Sequence, residues 1–169
     1  MAKKPSPQPS AGVPGEGAKA YVALGSNLGD RRANIESALR ELSKSVRVIK
    51  TSSWLENAAV GGPSDSPAFL NAVAEIETTL PPRELLQTFL TIESTLGRKR
   101  REKWEPRLID LDLILYGNSI IAEKDLHVPH PLMHERAFVL KPLLEIAPQA
   151  VHPIFNRTIA ELANDIGIH

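Results

Sequence analysis

The sequence predicts an α+β sandwich in which helices pack on an antiparallel sheet, and three observations carry that reading. Short β-patterned runs and amphipathic helical runs follow one another in the order β-α-β-β-α-β, with smaller mixed pieces after them. The 169 residues suffice for one domain of ordinary size with a single core. No internal repeat breaks that order.

Residues 1 to about 18 are rich in Pro, Gly and Ser and nearly free of large apolar side chains, so a disordered tail is expected there, followed by one domain over 19–169. A strand at Ala20–Leu24 then leads into the turn-rich Gly25-Ser26-Asn27-Leu28-Gly29. Asp30 has the character of a helix N-cap, and Ile35, Ala38, Leu39 and Leu42 behind it form one apolar stripe. A second strand is expected over about 46–54. Residues 56–67 have the composition of a long ligand loop.

The third strand, 68–78, places Leu70, Ala72, Ala74 and Ile76 on one face and Phe69, Asn71, Val73 and Glu75 on the other. Pro81-Pro82 opens a helix whose buried stripe is Leu85, Phe89, Ile92 and Leu96, with Gly97 suited to a C-cap. A basic loop, 98–107, precedes the strand ending in Tyr116. After it come a short apolar piece at Ile120-Ile121, a turn at 128–131, a helix over about 135–146 and a short helix at 159–165. The order is that of a split βαβ, a ferredoxin-like sandwich in which helices cover one sheet face and the other is left for function.

Lys and Arg total 20, as do Asp and Glu, so no global field favours nucleic acid or an anionic membrane. The absence of cysteine removes disulfides, thiolate nucleophiles and Cys-bound zinc together. No apolar run approaches a membrane span or a signal core, so a soluble, cytoplasmic protein is expected.

The unusual chemistry lies in Arg107-Leu108-Ile109-Asp110-Leu111-Asp112-Leu113-Ile114-Leu115-Tyr116. Alternation gives Ile109, Leu111, Leu113 and Leu115 one apolar face and puts both aspartates on the other. Two carboxylates so close repel unless a cation sits between them, and hard divalent ions take oxygen ligands of this kind. The upstream run Arg98-Lys99-Arg100-Arg101-Glu102-Lys103, with Arg107, brings cations beside the acids. A polyanion, most simply a nucleotide polyphosphate held with magnesium, fits that combination. Taken singly, the basic run reads as a solvated surface, His130 as structural and Phe138 as core. Trp104 suits either a stacking role or a core anchor.

Together these residues resemble a known family. Trp104-Glu105-Pro106-Arg107-Leu108-Ile109-Asp110-Leu111-Asp112-Leu113-Ile114 is similar to the signature of the 6-hydroxymethyl-7,8-dihydropterin pyrophosphokinases of folate biosynthesis. So are Ala20 to Gly29, Phe69-Leu70-Asn71-Ala72-Val73, Gly97-Arg98-Lys99-Arg100, Val128-Pro129-His130-Pro131 and Arg136-Ala137-Phe138-Val139-Leu140. The resemblance implies transfer of pyrophosphate from ATP, as co-substrate, to the pterin alcohol. It implies that Asp110 and Asp112 bind two magnesium ions, with Arg98 and Arg107 as catalytic arginines on the phosphates. Phe69 and Phe138 would sandwich the pterin, Asn71 would read its polar edge, and Asn57 and Val60 would close that pocket. Glu93, Arg98, Arg100, Trp104, Arg107, Leu113, His130 and Arg136 would face ATP. Two departures from the family pattern are Asn57-Ala58-Ala59, in place of a Thr-x-Pro stretch, and Glu105, in place of glycine.

The expected partners are therefore small molecules, with no nucleic acid or membrane partner, and a monomer is expected. The alternative is a ferredoxin-like RNA-binding or regulatory module using Phe69 as a platform, which accounts for the arginines but not for the paired acids.

Overall fold

A computed structural model describes residues 17–57, 68–97 and 108–168. In chain order it contains β1 (Ala18–Ser26), α1 (Arg31–Leu42), β2 (Arg47–Thr51), β3 (Leu55–Asn57), β4 (Phe69–Thr78), α2 (Pro82–Gly97) and β5 (Asp110–Tyr116). Then come β6 (Ile121–Glu123), β7 (Leu126–Val128), a 3-10 turn (Met133–Glu135), α3 (Ala137–Ile146), β8 (Val151–His152), β9 (Arg157–Thr158) and α4 (Ile159–Asp165). The main sheet runs β2-β4-β1-β5 with every neighbour antiparallel, and β3 adds to β4 beyond β2. The expected tail falls outside the described residues except at its end, where Ala18 already belongs to β1.

Side-chain alternation sorts this sheet into two faces. On the rear face Ala20, Val22 and Leu24 of β1 and Leu70, Ala74 and Ile76 of β4 meet Ile35, Ala38 and Leu42 of α1 and Leu85, Phe89 and Ile92 of α2. Each large side chain fully buried there contributes roughly 1.5–3 kcal/mol relative to exposure. Asp30 caps α1 as expected, its carboxylate accepting the Ala33 N–H at 3.1 Å. Gly97 is the last residue of α2, whereas the described left-handed glycines are Gly29, Gly117 and Gly167.

The front face departs from expectation. Tyr21, Val73, Ile114 and Leu115 are covered there by Val139, Leu140, Leu143 and Ile146 of α3 and by Ile159 and Leu162 of α4. One sheet face was expected to stay open; instead its apolar half supports a helical layer, and only the polar half remains uncovered. The Asp-bearing strand also differs from its unbroken alternation. Leu113 pairs with Val22 but Leu115 pairs with Tyr21, so a bulge at Ile114 inserts one residue and reverses the faces beyond it. Leu115 consequently turns to the front cluster. Tyr116 turns rearward and donates its hydroxyl to the Leu80 carbonyl at 2.6 Å. Among the described residues no helix is long and apolar enough to cross a membrane.

Candidate active site

The uncovered half of the front face is a cavity of about 480 Å³. Its floor follows from strand register. Asn71 on β4 and Asp110 on β5 both lie opposite Gly25 on β1, and Val73 and Asp112 both lie opposite Ala23. The central strand thus supplies the smallest side chains between two polar edges about 10 Å apart, two strand spacings. A Cβ on Gly25 would stand 3.2 Å from Asn71 Oδ1 and 3.4 Å from Phe69 Cδ1, so glycine is what lets the Asn71 amide and the Phe69 ring approach the backbone of the floor this closely. The expected turn at Gly25-Ser26 is instead the last part of β1.

Phe69 and Asn57, partners in the β3–β4 ladder, form one wall. Asn71 Nδ2 donates to Asn57 Oδ1, which ties the two amides together. The opposite wall is the start of α3, where Phe138 lines the cavity and the Arg136 guanidinium lies 5.6 Å from its ring centroid. His130 also lines the cavity. Its backbone N–H donates to the Ile114 carbonyl at 2.9 Å, and its Nδ1 accepts the Leu132 N–H at 3.2 Å, which leaves Nε2 to carry the ring proton. Burial, aided by Arg136 and His127, pulls its pKa down from 6.5 to about 4.

Asp110 and Asp112 share the cavity face of β5, Asp110 half-buried and Asp112 exposed. Between them the Leu111 N–H donates to Glu93 Oε2 of α2 at 2.7 Å, so Glu93 holds the Asp-bearing strand from behind rather than lining the cavity. Leu113 also lies apart from the cavity, buried in the rear core. Arg98, Arg100, Trp104, Arg107 and Val60 lie outside the described residues. Sequence reasoning passed over Gly25, Ala23 and Glu135, which line the cavity. Only the cross-strand register identifies the first two.

Two carboxylates alone are too few for an all-protein metal cage, and among the described residues no group of three or more His, Asp or Glu side chains is gathered for one. The donor set fits magnesium, which is usually held by one or two carboxylates together with substrate phosphates and water. An aromatic wall, an amide edge and paired carboxylates across a shallow floor suit a flat heterocycle beside a polyanionic co-substrate. Those are features that a small-molecule transferase uses.

The comparisons with known proteins specify the class further. The chain belongs to the 7,8-dihydro-6-hydroxymethylpterin-pyrophosphokinase (HPPK) family, whose sequence model it matches over residues 21–148. It is 47% identical over 132 residues to the 2-amino-4-hydroxy-6-hydroxymethyldihydropteridine pyrophosphokinase of Bacillus subtilis, covering 77% of this chain and 78% of that one. The Haemophilus influenzae protein of the same name is 42% identical over 152 residues, 89% of this chain and 94% of its own. The Synechocystis protein of that name is 43% identical over 149 residues, 87% of this chain and 75% of its own. Among solved structures, wild-type Plasmodium falciparum HPPK-DHPS superposes with a TM-score of 0.69 at 16% identity, covering 91% of this chain and 46% of that chain. The chain spans less than half the length of that solved protein, and the likeness speaks for the fold alone. These matches lend no support to an RNA-binding or regulatory module.

Proposed function

We propose that the cavity binds 6-hydroxymethyl-7,8-dihydropterin and that the chain transfers pyrophosphate to it from ATP, giving AMP and the pterin diphosphate, a step of folate biosynthesis. The observation that supports this best is the row Asn71–Gly25–Asp110, which sets an amide and a carboxylate on either side of a strand residue with no side chain of its own. A bicyclic pterin laid along that row would present its amide-like edge to Asn71 and Asn57 and its hydroxymethyl group to the aspartates. Phe69 and Phe138 would cover the two ring faces.

In the proposed reaction the pterin hydroxyl oxygen attacks the β-phosphorus of ATP. A new O–P bond forms, the bond from that phosphorus to the α,β-bridging oxygen breaks, AMP leaves and the hydroxyl proton passes to solvent. Asp110 and Asp112 would hold two magnesium ions. Such ions, when bound, neutralise phosphate charge and align attacking and leaving oxygens. The chain's own contribution is mostly positioning. His130, kept neutral, is a hydrogen-bond donor through Nε2, and Arg136 supplies fixed positive charge at the start of α3. Arg98 and Arg107 are proposed as the catalytic arginines, with Arg100 and Trp104 beside the nucleotide and Val60 beside the pterin. Glu93 and Leu113 would act on the nucleotide side by supporting β5.

We further propose that the chain is a cytoplasmic monomer whose residues 19–169 form one domain, a ferredoxin-like βαββαβ core with C-terminal additions. Incubating the protein with ATP, magnesium and the reduced pterin alcohol should yield AMP and diphosphorylated pterin in equal amounts. ATP hydrolysis without pterin diphosphate would reject the proposal. Asp112→Ala is expected to bind the pterin normally and to lose turnover by a factor of about 100 or more, roughly 3 kcal/mol of barrier. Near-normal AMP formation by that variant would remove the metal-binding role.

A further inference from the structure

We infer that Arg31, outside the cavity and on the rear side of the sheet, is a positioning residue for the pterin pocket; the inference rests on the pterin reading above. Arg31 is the first residue of α1 and lies in the helical layer. Its Nη1 donates to the Ala68 carbonyl at 2.9 Å, and its Nη2 pairs with the Glu56 carboxylate. These two acceptors precede, by one residue each, Asn57 and Phe69, which face each other in the β3–β4 ladder and line the cavity.

The sheet's alternation explains how a rear contact sets a front wall. Glu56 lies opposite Leu70, a rear-core residue, so Glu56 points toward α1 while its neighbour Asn57 points toward the cavity. β3 spans only Leu55–Asn57 and has one strand partner, a ladder too short to hold its register firmly by itself. The forked guanidinium ties the two strands at the Asn57–Phe69 end of that ladder to one rigid helix start, which one ammonium group cannot do with the same geometry. The next residue reinforces the grip, for Arg32 lies 5.0 Å from the ring centroid of Trp54, just before β3. Arg31 itself is not among the residues that line the cavity. Its effect must therefore pass through where Asn57 and Phe69 stand.

The test compares the full chain with Arg31→Ala, Arg31→Lys and Glu56→Gln. Affinity for 6-hydroxymethyl-7,8-dihydropterin is measured by calorimetry with magnesium and a non-hydrolysable ATP analogue, alongside KM, kcat and amide exchange at Asn57 and Phe69. Arg31→Ala should raise the pterin Kd and KM roughly tenfold and speed exchange at both amides, with kcat at saturating pterin and affinity for the ATP analogue unchanged. Arg31→Lys should fall between it and the wild type. Glu56→Gln, at an exposed pair, should shift Kd in the same direction by less. A wild type that binds no pterin would overturn the substrate reading and this inference with it. Normal wild-type binding together with an Arg31→Ala Kd within twofold of it, or an equal loss of ATP-analogue affinity, would overturn the inference alone.

Discussion

At the residue scale, one missing side chain sets the depth of the cavity. Gly25 stands between Asn71 and Asp110, where a Cβ would press on the Asn71 carbonyl oxygen and the Phe69 ring. Gly25→Ala is therefore expected to fold with a melting temperature within a few degrees of wild type. It should nevertheless weaken pterin binding by about 1–2 kcal/mol, since overpacking of this size falls on the ligand's side of the strand. Calorimetric titration with pterin decides this, and unchanged affinity would show that the ring does not lie on Gly25. His130 carries a second prediction. Its pKa of about 4 lies below the 6.5 of the unfolded chain, so the unfolded state takes up a proton first as pH falls. Its share of stability is complete above pH 6.5, declines between 6.5 and about 4, and is flat below that. Melting curves of wild type and His130→Gln should thus differ in slope across that window and run parallel above it.

At the element scale, α1, α2 and α4 were legible because each carries its own boundary chemistry, whereas α3 begins after Arg136 with no side-chain cap. Asp30 caps α1, the Pro81-Pro82 pair opens α2, and α4 occupies the bounds 159–165 expected for a short C-terminal helix. Strands β1, β2, β4 and β5 were equally plain, and the two faces of β4 follow from alternation alone, whereas Glu56 and Asn57, expected in a loop, belong to β3, and the two-residue β8 and β9 carry no pattern long enough to read. What escaped the sequence depends on pairs of elements. The Ile114 bulge arises from how β5 matches β1, and no single-strand pattern reveals the extra residue that turns Leu115 forward. The site shows the same division: Phe69, Asn71, Asp110 and Asp112 were readable as one-faced residues, whereas Gly25 and Ala23 gain meaning only from register. The last helix offers a test of local encoding. Thr158 and Glu161 form a reciprocal capping box at its start. Thr158→Ala should cost about 1 kcal/mol, read as a fall in melting temperature or denaturation midpoint, while pterin affinity stays the same because α4 lies outside the cavity lining.

At the scale of the whole molecule, the sheet separates two cores with different duties. The rear core, with Phe89 at its centre, holds α1 and α2 against the sheet and meets the cavity only through the floor. The front core, with Leu143, seats α3, whose first residues carry Arg136 and Phe138 to the cavity. Both side chains are fully buried, so truncation should cost about 3–5 kcal/mol for Phe89→Ala and 2–5 kcal/mol for Leu143→Ala. Their effects on binding should differ despite similar losses of stability. A cavity behind Leu143 lets α3 settle toward the sheet and displaces Phe138, so pterin affinity should fall several-fold. A cavity behind Phe89 relaxes on the far side of the sheet and should leave that affinity unchanged. Titrations well below each variant's melting temperature separate stability from positioning, and equal pterin affinities for the two variants would show that the front layer does not shape the pocket.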